Sequence, residues 1–189
     1  MKKIQWIGWI CLSLLVLPSC FQNVWAKDFT LSSSDLKDGS RMAEQHVFKG
    51  FGCTGDNISP ELAWKNPPKG TKSFALTVYD PDAPTGSGWW HWVIFNIPAT
   101  AHSLTADAGN VSLAKAPKGS VQSITDFGKP GYGGACPPKG HGSHHYIFTL
   151  FALDVASLPL DASAMPATVG FNLHQHIIAK TQLTVLYSR

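Results

Sequence analysis

Four polar residues of this sequence have side chains that together suit the binding of a small anion: Asp80, His91, His144 and Tyr146. Two imidazoles and a phenol are hydrogen-bond donors. A neighbouring carboxylate favours the charged form of an imidazole and orients it. We therefore predict a ligand pocket built around these four residues.

The elements that must position them are predicted to be strands. Apolar residues alternate with polar ones, or aromatic and β-branched residues dominate, in four segments: Thr71–Tyr79, Trp89–Ile97, Tyr146–Leu153 and Thr181–Tyr187. Phe29–Leu31 and Glu61–Trp64 are candidate edge strands. The pattern predicts a mainly β (α+β) fold with short helices outside the sheets.

One helix is predicted near the C-terminal end of the chain. Ser163 is its expected N-cap and Pro166 lies in its first turn. Val169, Leu173 and Ile177 are spaced to share one face. His174 and His176 would lie on different faces of this helix, which argues against a metal shared between them.

Strand alternation predicts the direction of each candidate side chain. The expected face partners are Val78 for Asp80, then Trp89, Val93 and Phe95 for His91, and Phe148 for both His144 and Tyr146. A glycine-rich loop over residues 131–138 offers backbone N–H groups to a ligand. Spacing by itself does not bring these segments together.

Other interpretations of these residues stay open. The two histidines could be buried core histidines with satisfied hydrogen bonds. Packing alone would explain part of the tryptophan cluster Trp89, Trp90 and Trp92. A metal held by His141, His144 and His145 is a weaker alternative, because their spacing fits no specific zinc pattern.

The N-terminus has the pattern of an export signal. Lys2 and Lys3 precede the apolar run Ile4–Val16, which is too short to span a bilayer comfortably as a mature helix. The small-residue site Val24–Ala26 predicts cleavage that leaves one domain over residues 27–189.

A second processing route competes with that prediction. Leu17–Cys20 resembles a lipobox, in which Cys20 would carry a lipid. A retained membrane anchor is a third option. The prediction is therefore a signal peptide over residues 1–26 and a periplasmic or secreted protein, with lipid anchoring at Cys20 as the alternative.

Charge and cysteine content agree with export. Removal of two lysines and no acids with the signal lowers the formal charge from +3 to +1, which leaves no basic patch for nucleic acid. Cys53 and Cys136 remain, and in an oxidising compartment a pair most simply forms a disulfide, worth about 4 kcal/mol in the chain-entropy model. The alternative is two free buried thiols.

Two long motifs resemble the signatures of the phosphatidylethanolamine-binding protein family, also called the Raf kinase inhibitor-like family. They are Asp80–Pro84 with Trp90-His91-Trp92, and Gly134–Tyr146. Gly50–Cys53 with Asn57–Pro60 resembles its bacterial YbhB/YbcL branch, whose exported members are periplasmic. The similarity extends from about Phe29 to Tyr187.

The resemblance implies a large central β-sheet flanked by a smaller sheet and helices, with a pocket for phosphate or phosphorylated head groups. By motif position, Asp80 and His91 line one wall, while His144 and Tyr146 line the other. Gly134 is expected to offer backbone, and Asp82, Pro84 and Trp90 to shape the pocket. Two departures are His145, where many eukaryotic members have arginine, and Cys136, where they have glycine.

The electrostatics of such a pocket leave two options for the ligand. Asp80 should repel an anion unless it raises the pKa of an adjacent imidazole, that of His91 or that of His144. Alternatively, the ligand has a cationic part that contacts a tryptophan of the cluster.

Three functions are compatible with the sequence. The first is binding of a small anionic or phosphorylated ligand without a cofactor. The second is a protein-interaction role, in which a homodimer is a further option. An enzyme is the least favoured, because the sequence has no Gly-x-Ser-x-Gly elbow and no clear nucleophile–base pair. Kinase inhibition does not transfer from eukaryotic members, because an exported protein would not meet those partners.

Overall fold

Four long segments rich in β-branched and aromatic residues form the centre of this protein. The structure is a computed structural model that describes residues 28–189. The strands are β1 Thr30–Ser32, β2 Lys49–Gly50, β3 Cys53–Thr54, β4 Leu62–Lys65, β5 Ser73–Asp80, β6 Trp89–Pro98, β7 Ser103–Leu104, β8 Val121–Gln122, β9 His144–Leu153 and β10 Ile177–Tyr187. One α-helix, α1, spans Pro166–His174, and short 3-10 turns lie at Glu44–His46 and Val111–Leu113.

The predicted central strands form one antiparallel sheet with the order β10-β9-β5-β6-β8. All four predicted segments are strands, and the last begins earlier than predicted, at Ile177. The two predicted edge strands are β1 and β4 of a smaller sheet, β1-β4-β7, in which β1 is at an edge but β4 is the central strand because it also pairs with β7. The mainly β prediction is confirmed.

Two apolar cores lie on opposite faces of the large sheet. One core joins it to the small sheet, where Trp64 packs edge-on against Phe74 with ring centroids 5.3 Å apart. The other lies under α1, whose Val169 and Leu173 pack with Phe95. Burying each large side chain stabilises the fold by roughly 1.5–3 kcal/mol, so the sheet is held from both sides.

The helix differs from its prediction at both ends. Met165 precedes it as N-cap without a side-chain hydrogen bond, whereas the predicted cap Ser163 donates its hydroxyl to Asp161 in the turn before the helix. Proline at the first helical position has no N–H that needs a cap. Ile177, expected on the helix face, is the first residue of β10.

His176 also lies outside the helix, in the short connection to β10, where its ring nitrogen Nδ1 is 3.0 Å from Asp154. The predicted signal peptide over residues 1–26 and the lipobox at Cys20 lie outside the described residues. Within residues 28–189, no helix is both long and apolar enough to cross a membrane.

Candidate functional site

The antiparallel order of the large sheet brings the predicted site residues to one end of three strands. Asp80 is the last residue of β5, while His91 and His144 lie near the starts of β6 and β9. Because both neighbours of β5 run opposite to it, its end lies beside their starts. These three residues and Tyr146 line a cavity of about 210 Å³.

A β-bulge in β6 directs His91 into this cavity. Val78 is opposite Trp92 and Tyr79 is opposite Trp90, so His91 is an extra residue without a partner on β5. As a result His91 and Trp92 face the same side of the sheet.

The bulge corrects one predicted set of neighbours. Trp89 lines the cavity with His91, as alternation predicted. Val93 and Phe95 instead belong to the core under the helix, because alternation is shifted by one residue beyond the bulge.

His91 is a neutral ring in this environment. It is 4% exposed, and its Nδ1 donates to the carbonyl oxygen of Gly133 at 2.7 Å. Burial lowers the pKa of His91 and outweighs the opposing effects of that carbonyl and of the Asp80 charge. The expected rise in the pKa of His91 is therefore wrong. With Nδ1 protonated, Nε2 of the neutral ring is a hydrogen-bond acceptor.

Both carboxylate oxygens of Asp80 have hydrogen-bond partners within the protein. Its Oδ1 accepts the backbone N–H of Asp82 at 2.8 Å, and its Oδ2 is 2.7 Å from Nδ1 of His144. Both side chains are almost completely buried. The carboxylate therefore fixes the orientation and tautomer of His144, whose Nε2 is left to face other groups.

Tyr146 supplies a hydroxyl that has no hydrogen-bond partner within the described part of the chain. The residue is 1% exposed. Burial raises the pKa of this phenol far above its usual value, and the Asp80 charge raises it further. The hydroxyl therefore stays protonated, and this residue of the cavity wall has a donor that no group of residues 28–189 uses.

The remaining predicted site residues lie around the cavity in different ways. Pro84 lines it, as expected of a pocket-shaping residue. Asp82 does not, since it accepts both the backbone N–H and the ring Nδ1 of His145 at 2.7 Å. Partial burial would raise the pKa of Asp82, but these hydrogen bonds and the charge of His145 hold it below its usual value.

Gly134 and Trp90 are also outside the cavity lining. Gly134 donates its N–H to Asn57 and its carbonyl lies 3.1 Å from His91, so its backbone positions His91 and is not free for a ligand. Trp90 is on the opposite face of the sheet, where its ring lies 4.4 Å from that of Tyr79. Its expected pocket-shaping contact is absent because the strand turns it away.

Sequence reasoning identified only Trp89 of the aromatic wall of the site, as one of three tryptophans that could contact a cationic part of the ligand. Phe51 and Phe127 line the cavity with Trp89, and the Phe127 ring lies 5.9 Å from Phe51 and 5.4 Å from His91. Phe51 is 69% exposed and has a left-handed backbone, with φ 52°. It was part of the Gly50–Cys53 motif, whereas no motif marked Phe127. The wall offers a largely apolar surface beside the polar groups.

The mouth of the cavity is held by a disulfide and by an arginine. Cys53 is bonded to Cys136, which ties the turn that carries Phe51 to the cavity wall. Arg189 donates to the carbonyl oxygens of Pro137 and Gly52. In residues 28–189, no cluster of three or more His, Cys, Asp or Glu side chains is arranged to hold a metal ion.

Comparison with known families agrees with this architecture. The sequence profile described as phosphatidylethanolamine-binding protein matches residues 32–188. The chain belongs to the phosphatidylethanolamine-binding protein family.

Three relatives illustrate the similarity. The chain is 51% identical over 162 residues to the UPF0098 protein YbcL of Escherichia coli, covering 86% of this chain and 88% of YbcL. It is 53% identical over 158 residues to YbhB of the same organism, covering 84% and 99%. It is 38% identical over 143 residues to LppC of Mycobacterium tuberculosis, which is named as a lipoprotein, covering 75% and 64%.

The crystal structure of Escherichia coli YbcL has the same fold. It superposes with a TM-score of 0.84 at 51% identity, covering 85% of this chain and 98% of YbcL. That structure is described as a new member of the mammalian phosphatidylethanolamine-binding protein family. The predicted membership of the YbhB/YbcL branch is confirmed by these relatives.

Proposed function

We propose that this protein binds a small anionic, phosphorylated ligand in the cavity between β5, β6 and β9. The observation that carries the proposal is the buried hydroxyl of Tyr146, a residue that lines the cavity, because this hydroxyl donates no hydrogen bond within residues 28–189. A buried donor without a partner costs about 1–3 kcal/mol, so such groups are rare unless a ligand or water satisfies them.

The polar groups of the cavity define what the ligand must offer. Tyr146 needs an acceptor, which a phosphate oxygen supplies. Neutral His91 instead presents an acceptor, which suits a protonated oxygen or an ammonium group of the ligand. Inorganic hydrogen phosphate meets the demands of both residues, and so does phosphoethanolamine.

The size and wall of the cavity limit the rest of the ligand. About 210 Å³ is less than the roughly 300–1,000 Å³ of sites for drug-sized molecules. The site therefore suits a head group or a small ester rather than a whole lipid. The apolar wall of Phe51, Phe127 and Trp89 can contact the carbon part of an ester or a cationic substituent.

The test is titration calorimetry with phosphate and with phosphoethanolamine on the wild-type protein and on Tyr146→Phe. Loss of a neutral hydrogen bond to a charged acceptor, worth about 1.5–3 kcal/mol, should weaken binding tenfold or more. Tyr187→Phe is the matched control, because that hydroxyl bonds Glu44 and does not line the cavity.

The two tyrosine variants should also differ in stability. Tyr146→Phe removes an unsatisfied buried hydroxyl and should leave the thermal midpoint unchanged or raise it, whereas Tyr187→Phe should lower it. If wild type and Tyr146→Phe bind phosphate and phosphoethanolamine with equal affinity, the proposal is wrong.

We propose binding rather than catalysis for this site. Among the cavity residues, the Thr85 hydroxyl donates to the carbonyl oxygen of Gly88 and Cys136 is in a disulfide, which leaves no threonine or cysteine nucleophile paired with a base. Turnover of a phosphate ester that disappears in His144→Ala would argue for an enzyme instead.

A protein-interaction role is the second candidate, favoured by the exposure of Phe51 at the cavity mouth. Exposed aromatic side chains are frequent anchors in interfaces. Phe51→Ser should abolish partner binding in that case and leave phosphate affinity nearly unchanged.

We further propose that the protein is exported. The disulfide between Cys53 and Cys136 and the relative named as a lipoprotein support export. Cell fractionation of the full chain, with a Cys20→Ala variant to test lipid attachment, would distinguish the soluble form from the anchored form.

A further inference from the structure

The ring of His91 is held so that one of its nitrogens donates to the protein and the other is left for a ligand. Its Nδ1 lies 2.7 Å from the carbonyl oxygen of Gly133 and 3.1 Å from that of Gly134. Carbonyl oxygens only accept hydrogen bonds, so Nδ1 carries a proton. Both hydrogen bonds of this ring within residues 28–189 are made by Nδ1, which leaves Nε2 unpaired there.

The two carbonyl groups that fix this tautomer are themselves held in place. Gly133 donates its N–H to the carbonyl oxygen of His91 at 2.8 Å, and Gly134 donates its N–H to Oδ1 of Asn57 at 2.7 Å. A Cβ on either glycine would collide with neighbouring atoms, so the segment is packed closely on both residues. The backbone therefore keeps the proton of His91 on Nδ1.

The groups around the ring do not give it a second proton near neutral pH. The charges of Asp80 and Asp126 raise the pKa of His91, as do the two carbonyl groups. Burial nevertheless brings that pKa below its usual value, so the ring is neutral. The phenol of Tyr146, whose ring is edge-on to that of His91 with centroids 5.0 Å apart, is neutral as well.

His144, the second imidazole of the cavity, has partners at both ring nitrogens. Its Nδ1 is 2.7 Å from Oδ2 of Asp80, and its Nε2 is 2.8 Å from Nδ1 of His141. Within residues 28–189, His91 is thus the cavity imidazole with a nitrogen available to a ligand. That nitrogen has a lone pair and no proton, so it accepts a hydrogen bond and has nothing to donate to an anionic oxygen.

We infer that Nε2 of His91 selects ligands that carry a hydrogen-bond donor beside their anionic oxygens, and that the cavity therefore rejects fully deprotonated oxyanions such as sulfate. The inference rests on the proposed function, because it names the ligand class of the same cavity. Tyr146 donates to an anionic oxygen, and His91 accepts from a neighbouring P–OH or ammonium group. Hydrogen phosphate has the first of these donors and phosphoethanolamine has the second.

The experiment is calorimetric titration of the wild-type protein at about pH 8 with two pairs of ligands. Hydrogen phosphate and sulfate have the same charge at this pH and nearly the same size, and they differ by one proton. Phosphoethanolamine and methyl phosphate form the second pair, in which only the first has a donor, because a phosphate ester loses its last proton with a pKa of about 6.

The ligand with a donor should bind more tightly in each pair. A site that holds a buried acceptor rejects the analogue that cannot pair with it, so hydrogen phosphate should bind about tenfold or more tightly than sulfate. The same preference is expected for phosphoethanolamine over methyl phosphate.

Two variants assign the preference to His91. His91→Phe keeps an aromatic ring but has no acceptor, so its affinities for hydrogen phosphate and sulfate should become nearly equal. His102→Phe is the matched control and should keep the wild-type ratio, because His102 is exposed and does not line the cavity. If His91→Phe does not fold, the two ligand pairs on the wild-type protein still decide.

The imidazole ¹⁵N spectrum of the wild-type protein gives a second measurement that needs no variant. At about pH 8, the ring of His91 should show a protonated Nδ1 and an unprotonated Nε2. Hydrogen phosphate should shift the Nε2 signal, whereas the same concentration of sulfate should leave it in place. A protonated Nε2 in the free protein would overturn the inference.

The outcomes separate this inference from the proposed function. Equal affinity of the wild-type protein for hydrogen phosphate and sulfate, or tighter binding of sulfate, overturns the selection by His91 and leaves anion binding standing. A wild-type preference that persists in His91→Phe belongs to another group and overturns it too. If none of the four ligands binds, the proposed function fails and the inference fails with it.

Discussion

Removal of the disulfide between Cys53 and Cys136 should both destabilise the fold and weaken the cavity. The bond closes a loop with a sequence separation of 83 residues. In the chain-entropy model, such a loop corresponds to about 4.5 kcal/mol of stability. For a domain of this size, each kcal/mol shifts the thermal midpoint by about 2–4 °C, so a fall of roughly 10–15 °C is expected.

The bond has a local effect in addition to the global one. Cys53 follows the turn that carries Phe51, and Cys136 lines the cavity. The hairpin of β2 and β3 has only two residues in each strand, and without this bond it is held against the wall mainly by the hydrogen bonds of Arg189. Ligand affinity should therefore fall even at temperatures where the variant is fully folded.

The assay uses the double variant Cys53→Ala and Cys136→Ala, because replacing only one of the two cysteines would leave the other as a free thiol. Thermal unfolding measures the global effect and phosphate titration measures the local one. Hydrogen exchange should show loss of protection at the Phe48 amide, which bonds the Ala135 carbonyl oxygen, and unchanged protection in β5 and β9. A midpoint within about 3 °C of wild type, together with unchanged affinity, would refute the reasoning.

Three further outcomes are expected. Gly134→Ala should prevent stable folding, because a Cβ there would collide with the backbone carbonyl oxygen of His46. Gly170→Ala, which is in open space on the helix, should instead stabilise the fold by about 0.5–1 kcal/mol. Chemical denaturation measures the free energy of unfolding of both variants. Asp82→Asn should cost less than about 1 kcal/mol, because its pair with His145 is partly exposed. Since the folded-state pKa of Asp82 is depressed, that stability is complete above its unfolded pKa of 3.8 and is lost as the pH falls through the folded value, so the two proteins should converge in acid. Sulfate affinity of the wild-type protein should increase as the pH falls from about 6.5 to 5, because burial holds the pKa of His91 below its usual value and protonation turns its acceptor nitrogen into a donor; a flat profile would contradict this.

The sequence predicted the site best where strand alternation is unbroken. β5 and β9 pair in continuous register from Ser73 to Tyr79, so the predicted faces of Asp80, His144 and Tyr146 were correct. In β6, the bulge at His91 has no signature in composition, and the alternation expected beyond it was wrong. Strand alternation predicts the direction of a side chain only as far as the next β-bulge.

The rest of the site depends on loop conformation, which residue types alone do not specify. Phe127 joins the aromatic wall from a loop without a motif, and His141 reaches His144 because a tight turn brings it back. Ser163 failed as a helix cap because the helix begins at Pro166, which makes Met165 the N-cap residue. In each case the local course of the backbone decided the outcome.

The bulge at His91 shifts the alternation of side chains near the start of β6. Upstream of it, Trp89 and His91 face the cavity and Trp90 faces away, while downstream Trp92 can enter the core on the cavity side although it directly follows His91. A substitution on one side of the bulge does not change which way the side chains point on the other side. A one-residue change in length that shifted the register of this segment would exchange the cavity face and the opposite face of the strand. Trp90 would then face the ligand, and His91 would face the opposite surface. The site is therefore far more sensitive to a change in length at this point than to a change in residue type.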